Sequence, residues 1–560
     1  MQKDKLKFKL FFLVIIFYCL FGLAKNSHAA TYYIDYATGS DTNNGTSKST
    51  PWKRAPGMYG CFITDTNDNN CRARTHSMAS GDSFIFKGGV IWPADALGMN
   101  WYFGNNTYFG VDQTWYDSAG CSAAGYSGWC RPVFDAQGTE PHLSPENYHS
   151  MLAVWGSGQT IDNMEFKGMA QLHGTDTSVN GCAGIAGNGY GINVISINYG
   201  GPAPHATVKN NYIHGWSHGP VYNKGDCICW SVQHTDCNAW AGGVDKDLIV
   251  ADSSNFISFY SDVVDYTSQF YDNIVDGSDT TGDMGWNTVS GGWGHVYNNY
   301  IAYVQNATIA GNAGYFWGNT YYEIAYTIPD FDVSQHHQVF ENIGSPTYFW
   351  NNYISHSAGG ATLIIYGIDS VNDYIFNNVI IYGNDQINQS SDGALATYVF
   401  GNTLHTAHGS SNLYAVASLG PVYAKNNHIM TDSSSFIQTT YGGEATNNVE
   451  ETPAQALSYF SNAIYPYYPN SNAPSINTGV DLTSYCNLLV DSSPSMPHTD
   501  CLKDTTLGVN YDTSTHTVAY PKRTPLSRPQ GSAWDIGAYE YETGGGDITP
   551  PGVPSGLSVS

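Results

Sequence analysis

The feature that most constrains this chain is a short motif that keeps returning. One or two polar residues, usually asparagine, precede an aromatic or aliphatic pair. Copies stand at Asn210-Asn211-Tyr212-Ile213, Asp272-Asn273-Ile274-Val275, Asn298-Asn299-Tyr300-Ile301 and Asn351-Asn352-Tyr353-Ile354. Others follow at Asn377-Asn378, Gly401-Asn402, Asn426-Asn427 and Asn447-Asn448, with looser copies at Asn163, Asn255 and Asn319. From Asn255 onward the second residues are separated by 18, 26, 20, 33, 26, 24, 25 and 21 residues, about 24 on average. Self-similarity at that period means a stacked array, because one such unit cannot bury its apolar face alone.

The chemistry within each unit selects the array. Runs of three to six Val, Ile, Tyr and Phe are broken by Gly, Asn, Asp and Ser, with no room for helices. Asparagine at a fixed turn position tolerates left-handed backbone and can hydrogen-bond to its copies above and below. Leucine-rich repeats would show spaced leucines, and propeller blades would be nearly twice as long. The expectation is an all-β chain, a single-stranded parallel β-helix solenoid, whose right-handed sense is what the resemblance of both its ends implies. Its coils should run from about Asp82 to about Tyr541, a single solenoid over 82–543 behind a cap region at 31–81.

Both ends carry a resemblance. Tyr32 to Trp52 (YYIDYATGSDTNNGTSKSTPW) resembles the opening of bacterial secreted right-handed parallel β-helix proteins, and Ala533 to Tyr541 (AWDIGAYEY) resembles their closing coil. With the repeat, the likeness spans residues 32–541. It implies the fold and leaves the activity open: that superfamily holds pectate lyases, polygalacturonase-like hydrolases, other polysaccharide lyases and proteins with no known catalysis. Residues 544–560 resemble a linker and the first strand of a fibronectin type III module, the alternative being a disordered tail. On the first of these readings the natural chain continues past Ser560.

Residues 1–30 read as a secretory signal: a Lys-rich start, the apolar run Leu10–Ala24, and Ser27, Ala29 and Ala30 at a cleavage site. An uncleaved anchor is the alternative, and no later run is long enough to span a bilayer. Export makes disulfides the expected fate of the ten remaining cysteines. Cys61/Cys71, Cys121/Cys130 and Cys486/Cys501 are the near pairs. Cys182, Cys227, Cys229 and Cys237 form the remainder, with two disulfides favoured over a zinc site.

Charge narrows the partners. The formal net charge is −26, and removing the first thirty residues leaves −30. Such a surface repels nucleic acid and anionic membranes.

Aligning coils on the asparagine brings Asp262, Asp276, Asp279 and Asp283 together with His214 and His218. Carboxylates one or two coils apart suit acid–base hydrolysis of glycosides, and crowding raises their proton affinity. The bland alternative is Asp-rich turns or a calcium site. Beside them lies an interruption of the repeat at 219–246. Its neighbourhood supplies Trp216, Trp230, Trp240, Trp286 and Trp293 as candidate sugar-stacking surfaces, against burial in the stack, and Lys224 as the one unassigned cation. A second insertion gathers Asp330, Asp332, His336 and His337, as a solvated loop or a metal site. The loop with Asp65, Asn67 and Asn69 places oxygens at alternating positions, as calcium loops do, or is a disulfide-pinned turn.

Lyases of this fold class use Lys or Arg as base and cations to neutralise uronates. Between Gly168 and Ala424 the only lysines are Lys209, Lys224 and Lys246. The leading expectation is therefore an exported protein that binds, and as a hydrolase cleaves, neutral extracellular or cell-wall polysaccharide. The rivals are a non-catalytic surface or matrix rod and a calcium-dependent lyase.

Overall fold

A computed structural model of the chain describes residues 29–61, 71–76, 79–97, 99–102, 105–139, 149–171, 192–198, 205–215, 217–218, 249–251, 265–279, 287–291, 293–304, 306–310, 314–324, 339–342, 346–365, 371–389, 395–406, 415–432, 436–460 and 465–542. Short strands wind into a parallel β-helix. Each full coil contributes three of them, and three faces result. Face A is a sheet of thirteen strands from Thr31–Ile34 to Gly443–Thr446. Face B includes Glu165–Gln171, Tyr212–His214, Ile274–Asp276, Tyr300–Ala302 and Thr320–Ile324, and ends at Val449–Glu451. Face C includes Ile192–Asn198, Ile249–Ala251, Asn287–Gly291 and Asn306–Ala310. Each strand pairs in parallel with its copy in the next coil, as Phe166, Ile213, Val275 and Ile301 do on face B. These central residues point inward and are fully buried, while their neighbours on either side point out.

The asparagine pair divides its work. The first member takes positive φ, as at Asn210 (57°), Asp272 (54°), Asn298 (56°), Asn351 (57°) and Asn377 (55°), and turns the corner between faces A and B. The second member points into the core. Asn211, Asn273, Asn299, Asn319, Asn352, Asn378, Asn402, Asn427 and Asn448 form an unbroken amide ladder, each Nδ2 donating to the next Oδ1 at 2.9–3.2 Å. Buried polar groups are tolerable only when satisfied, and here each rung satisfies the next.

Two expectations need correction. Asn211 bonds directly to Asn273 and His214 pairs in register with Asp276, so the ladder passes from one to the other without the expected rung at Asn255, which lies outside the described residues. The coils also stop short of Tyr541. After Val449–Glu451 the chain leaves the stack and lies lengthwise on its outside as a long hairpin. It descends past Asn426 (Val480), Asn377 (Asp500 and Lys503) and Thr320 (Val509), and Arg131 donates to the Thr515 carbonyl near its tip. It returns over Tyr353 (Lys522) to Thr403 (Ala538) and Asn426 (Gly537). The Ala533–Tyr541 segment thus closes the hairpin rather than a coil. Among the described residues it holds one strand pair, Asn510–Asp512 with Thr517–Ala519, and isolated antiparallel bridges such as Lys503 with Ser527.

Face A shows what the hairpin covers. The outward column Tyr297, Trp317, Trp350, Phe376 and Phe400 stacks ring on ring at 4.2–5.8 Å. Leu482, Leu489 and Trp534 pack over it, braced by the Cys486–Cys501 disulfide. The sequence-expected Cys61–Cys71 and Cys121–Cys130 bonds are present too. The other four expected disulfide cysteines lie outside the described residues.

Candidate functional site

The hairpin tip meets face B where the coils begin to accommodate the large insertion. His214 ends its face B strand with its ring turned outward, and its Nδ1 lies 2.7 Å from Asp279 Oδ2. Its Nε2 lies 3.2 Å from Glu165 Oε1, one coil back. Asp279 sits in the turn after Asp276, where its second oxygen accepts the Gly215 N–H at 2.8 Å. Burial opposes protonation of His214, but the hydrogen bonds and charges of Asp279 and Glu165 outweigh it and lift its pKa to about 9. Burial likewise works against ionised Asp279, yet the bonds to His214 and the Gly215 amide hold its pKa below the ordinary value. The site is an imidazolium bracketed by two carboxylates, with Asp279 half in water.

A stacked aromatic group backs this centre. Tyr212 lies between His214 and His516, ring centroids 4.0 Å away on each side and nearly parallel. Asp276, the register partner of His214, is 9% exposed and faces the Tyr511 hydroxyl at 3.4 Å. That hydroxyl is also 2.7 Å from His516 Nδ1. The hydroxyl donates to Asp276, while His516 Nδ1 donates to it or accepts from it according to the imidazole tautomer. Desolvation lowers the His516 pKa and keeps that imidazole neutral at neutral pH.

The structure therefore brings together two of the expected catalytic residues, Asp276 and Asp279, in one cluster. His218 lies on the adjoining strand Ser217–His218, in register with Gln171. Asp262 and Asp283 lie outside the described residues, as do Trp216, Trp230, Trp240, Trp286 and Lys224, and the calcium-loop candidates Asp65, Asn67 and Asn69. Trp293 is a correction: it is 1% exposed and packs inside the core against Phe270, so it offers nothing to a sugar. Alternation alone would set Trp293 on the side of His295 and Tyr297; the register breaks there, between the partners Asp265 and Gln269, and Trp293 turns in.

Sequence reasoning missed Glu165, Tyr511, His516 and Lys522. Glu165 precedes the legible run of repeats. The other three sit some three hundred residues downstream on the hairpin, where no periodic pattern ties them to a coil. Lys522 Nζ rests 4.5 Å above the Tyr353 ring, and desolvation depresses its pKa to about 8. The count of cations between Gly168 and Ala424 thus omitted one that the fold returns to that surface. No group of His, Cys, Asp and Glu suited to a metal ion occurs among the described residues.

These features define a parallel β-helix protein with a titratable cluster built jointly by coil and hairpin. No protein-family model matches the chain, and no curated protein matches it. Among solved structures it is similar to a GH136 lacto-N-biosidase from Eubacterium ramulus, at 10% identity and a TM-score of 0.34, over 76% of this chain and 68% of that one. It is also similar to a rhamnogalacturonan lyase, at 13% identity and a TM-score of 0.36, over 80% of this chain and 97% of that one.

Proposed function

We propose that the protein is an exported, carbohydrate-acting β-helix protein that hydrolyses an uncharged extracellular polysaccharide at the His214 cluster. The observation that carries this reading is the imidazolium held between Asp279 and Glu165 on an outer face. Asp279 makes the shorter bond, to Nδ1, and orients the ring as a carboxylate does in other acid–base sites. The longer bond, Nε2 to Glu165, is the one a glycosidic oxygen would displace, with His214 then giving up its proton. Glu165 is placed to take a proton from the attacking water. The acidic surface favours a neutral glycan over pectin or alginate. The disulfides agree with an oxidising compartment.

The test is reducing-end release from a panel of neutral polysaccharides by wild type, His214→Asn, Glu165→Gln and Asp279→Asn. Activity that falls at least about a hundredfold in each variant is expected. Activity on none of them, or activity that survives all three changes, ends the hydrolase reading and favours the non-catalytic rod. Lys522 supports a second reading, an eliminating lyase with that amine as base. Ultraviolet absorbance from an unsaturated product on uronate polymers, lost in Lys522→Met, would select it.

A further inference from the structure

The corner that leaves face B carries an anomaly in the coils that follow the His214 cluster. Register aligns Lys167, His214, Asp276, Ala302, Tyr322, Ser355 and Ile381 as one column. The residues that follow them are Gly168, Gly215, Gly277, Tyr303, Glu323, His356 and Tyr382. Left-handed backbone is used at Gly168 (φ 70°) and Gly215 (62°), as expected of glycine. Gly277 does not use it, and it returns at Tyr303 (55°), Glu323 (52°), His356 (61°) and Tyr382 (55°). Four successive coils thus hold bulky L-residues in a conformation that costs them energy and costs glycine none. The same corner in the preceding coils shows that the fold itself does not require those side chains. Strain of this kind persists where a site uses it.

The four side chains do not fill the core. All are at least partly exposed, and Tyr382 is 37% exposed. They join a continuous strip along the coil axis. Tyr303 meets Tyr322 edge to face at 5.6 Å, and His356 stacks on Tyr382 at 4.7 Å. Ser355 Oγ lies 2.7 Å from His356 Nδ1, and Glu323 Oε1 lies 3.9 Å from the same nitrogen. Tyr382 in turn abuts His405 at 4.8 Å. Four coils span about 15 Å, the reach of a short oligosaccharide. Aromatic rings with polar edges, a carboxylate and an imidazole offer what a neutral sugar needs: surface for its C–H faces and acceptors for its hydroxyls.

We propose that Tyr303, Glu323, His356 and Tyr382 form a glycan-binding subsite along this corner, beginning in the coil next to Asp276 and running away from the His214 cluster on the same face. The inference rests on the carbohydrate reading above and assigns a second place where the same chain is held.

Glycine is the discriminating substitution, because it relieves the strain while deleting the side chain. His356→Gly and Tyr382→Gly, singly and together, are compared with wild type by affinity electrophoresis in galactomannan, arabinan and mixed-linkage β-glucan, and by thermal unfolding. Expected are an unchanged or higher unfolding midpoint and an affinity lowered about tenfold or more on the glycan that wild type binds. Unchanged affinity in the double variant, or a lower midpoint with unchanged affinity, overturns the subsite and marks the strip as structural. If the glycine variants misfold, His356→Asn and Tyr382→Asn, which tolerate the left-handed backbone, carry the same comparison. Binding by wild type to none of the three polymers defeats the carbohydrate reading itself, a result distinct from equal binding by wild type and variants.

Discussion

Asp279→Asn is the perturbation that probes the His214 cluster most directly. The imidazolium draws its stability from two carboxylates, and the exchange removes the charge that makes the shorter bond. A rise of the folded-state pKa from 6.5 to about 9 corresponds to about 3 kcal/mol favouring the protonated folded state. The sign follows from linkage. The folded chain holds this proton more tightly than the unfolded one, so the contribution is complete below about pH 6.5 and is lost as pH rises through about 9. Half of Asp279 lies in water, so screening trims its share to about 1 kcal/mol, with Glu165 supplying much of the rest. In the variant the His214 pKa should fall by about one, and stability between pH 6.5 and 9 should become flatter. Proton NMR of the His214 ring, with urea unfolding at several pH values, measures both. A wild-type His214 that titrates near 6.5, or one whose pKa ignores the Asp279 change, would refute the bracketed imidazolium.

Two further perturbations test the frame around it. Asn352→Ala removes a fully buried rung whose Nδ2 donates to Phe316, Trp350 and Asn378, and whose Oδ1 serves Asn319. Several partners lose their bonds at once, so a loss of roughly 3 kcal/mol or more is expected in denaturant unfolding; a change below about 1 kcal/mol would show that the ladder relaxes or hydrates. Lys522 behaves oppositely to His214. Its folded-state pKa of about 8 lies below the unfolded 10.5, so the unfolded chain binds the proton more readily and stability should rise across that interval. Lys522→Met should abolish the rise, and unfolding midpoints from pH 7 to 10.5 decide it.

Legibility in the sequence followed periodicity. The asparagine pairs were visible because each coil repeats the same demand for a left-handed corner and a buried amide. The division between Asn351 and Asn352, one for the corner and one for the ladder, is the physical reason the residue comes in pairs. Asp276 and Asp279 could be placed near His214 from the repeat alone. A rung was expected at Asn255 because spacing alone does not show that Asn211 bonds directly to Asn273. Trp293 was misjudged because its facing follows a local register irregularity that neither residue type nor simple alternation reveals. Tyr511, His516 and Lys522 were invisible for another reason: they act at a sequence distance that the repeat does not encode.

That distance bears on how a solenoid acquires a site at all. Coils stacked in register offer columns of side chains but little concavity, and each column repeats its neighbour. Face A shows the outcome: the tyrosines at 315, 348, 374, 398 and 423 stack on one another at 4.7–5.3 Å. Their flat faces are spent on each other, which leaves edges and hydroxyls outward and weakens the view of that face as a sugar platform. Face B differs because two things break its repetition. The returning hairpin sets Tyr511 and His516 against Asp276 and Tyr212, and Lys522 against Tyr353. Four consecutive corner glycine positions become Tyr303, Glu323, His356 and Tyr382 at a cost in backbone energy. A crossing element supplies depth and strained corners supply varied side chains, so departures from the repeat, rather than the repeat itself, are where a solenoid of this kind can build a site.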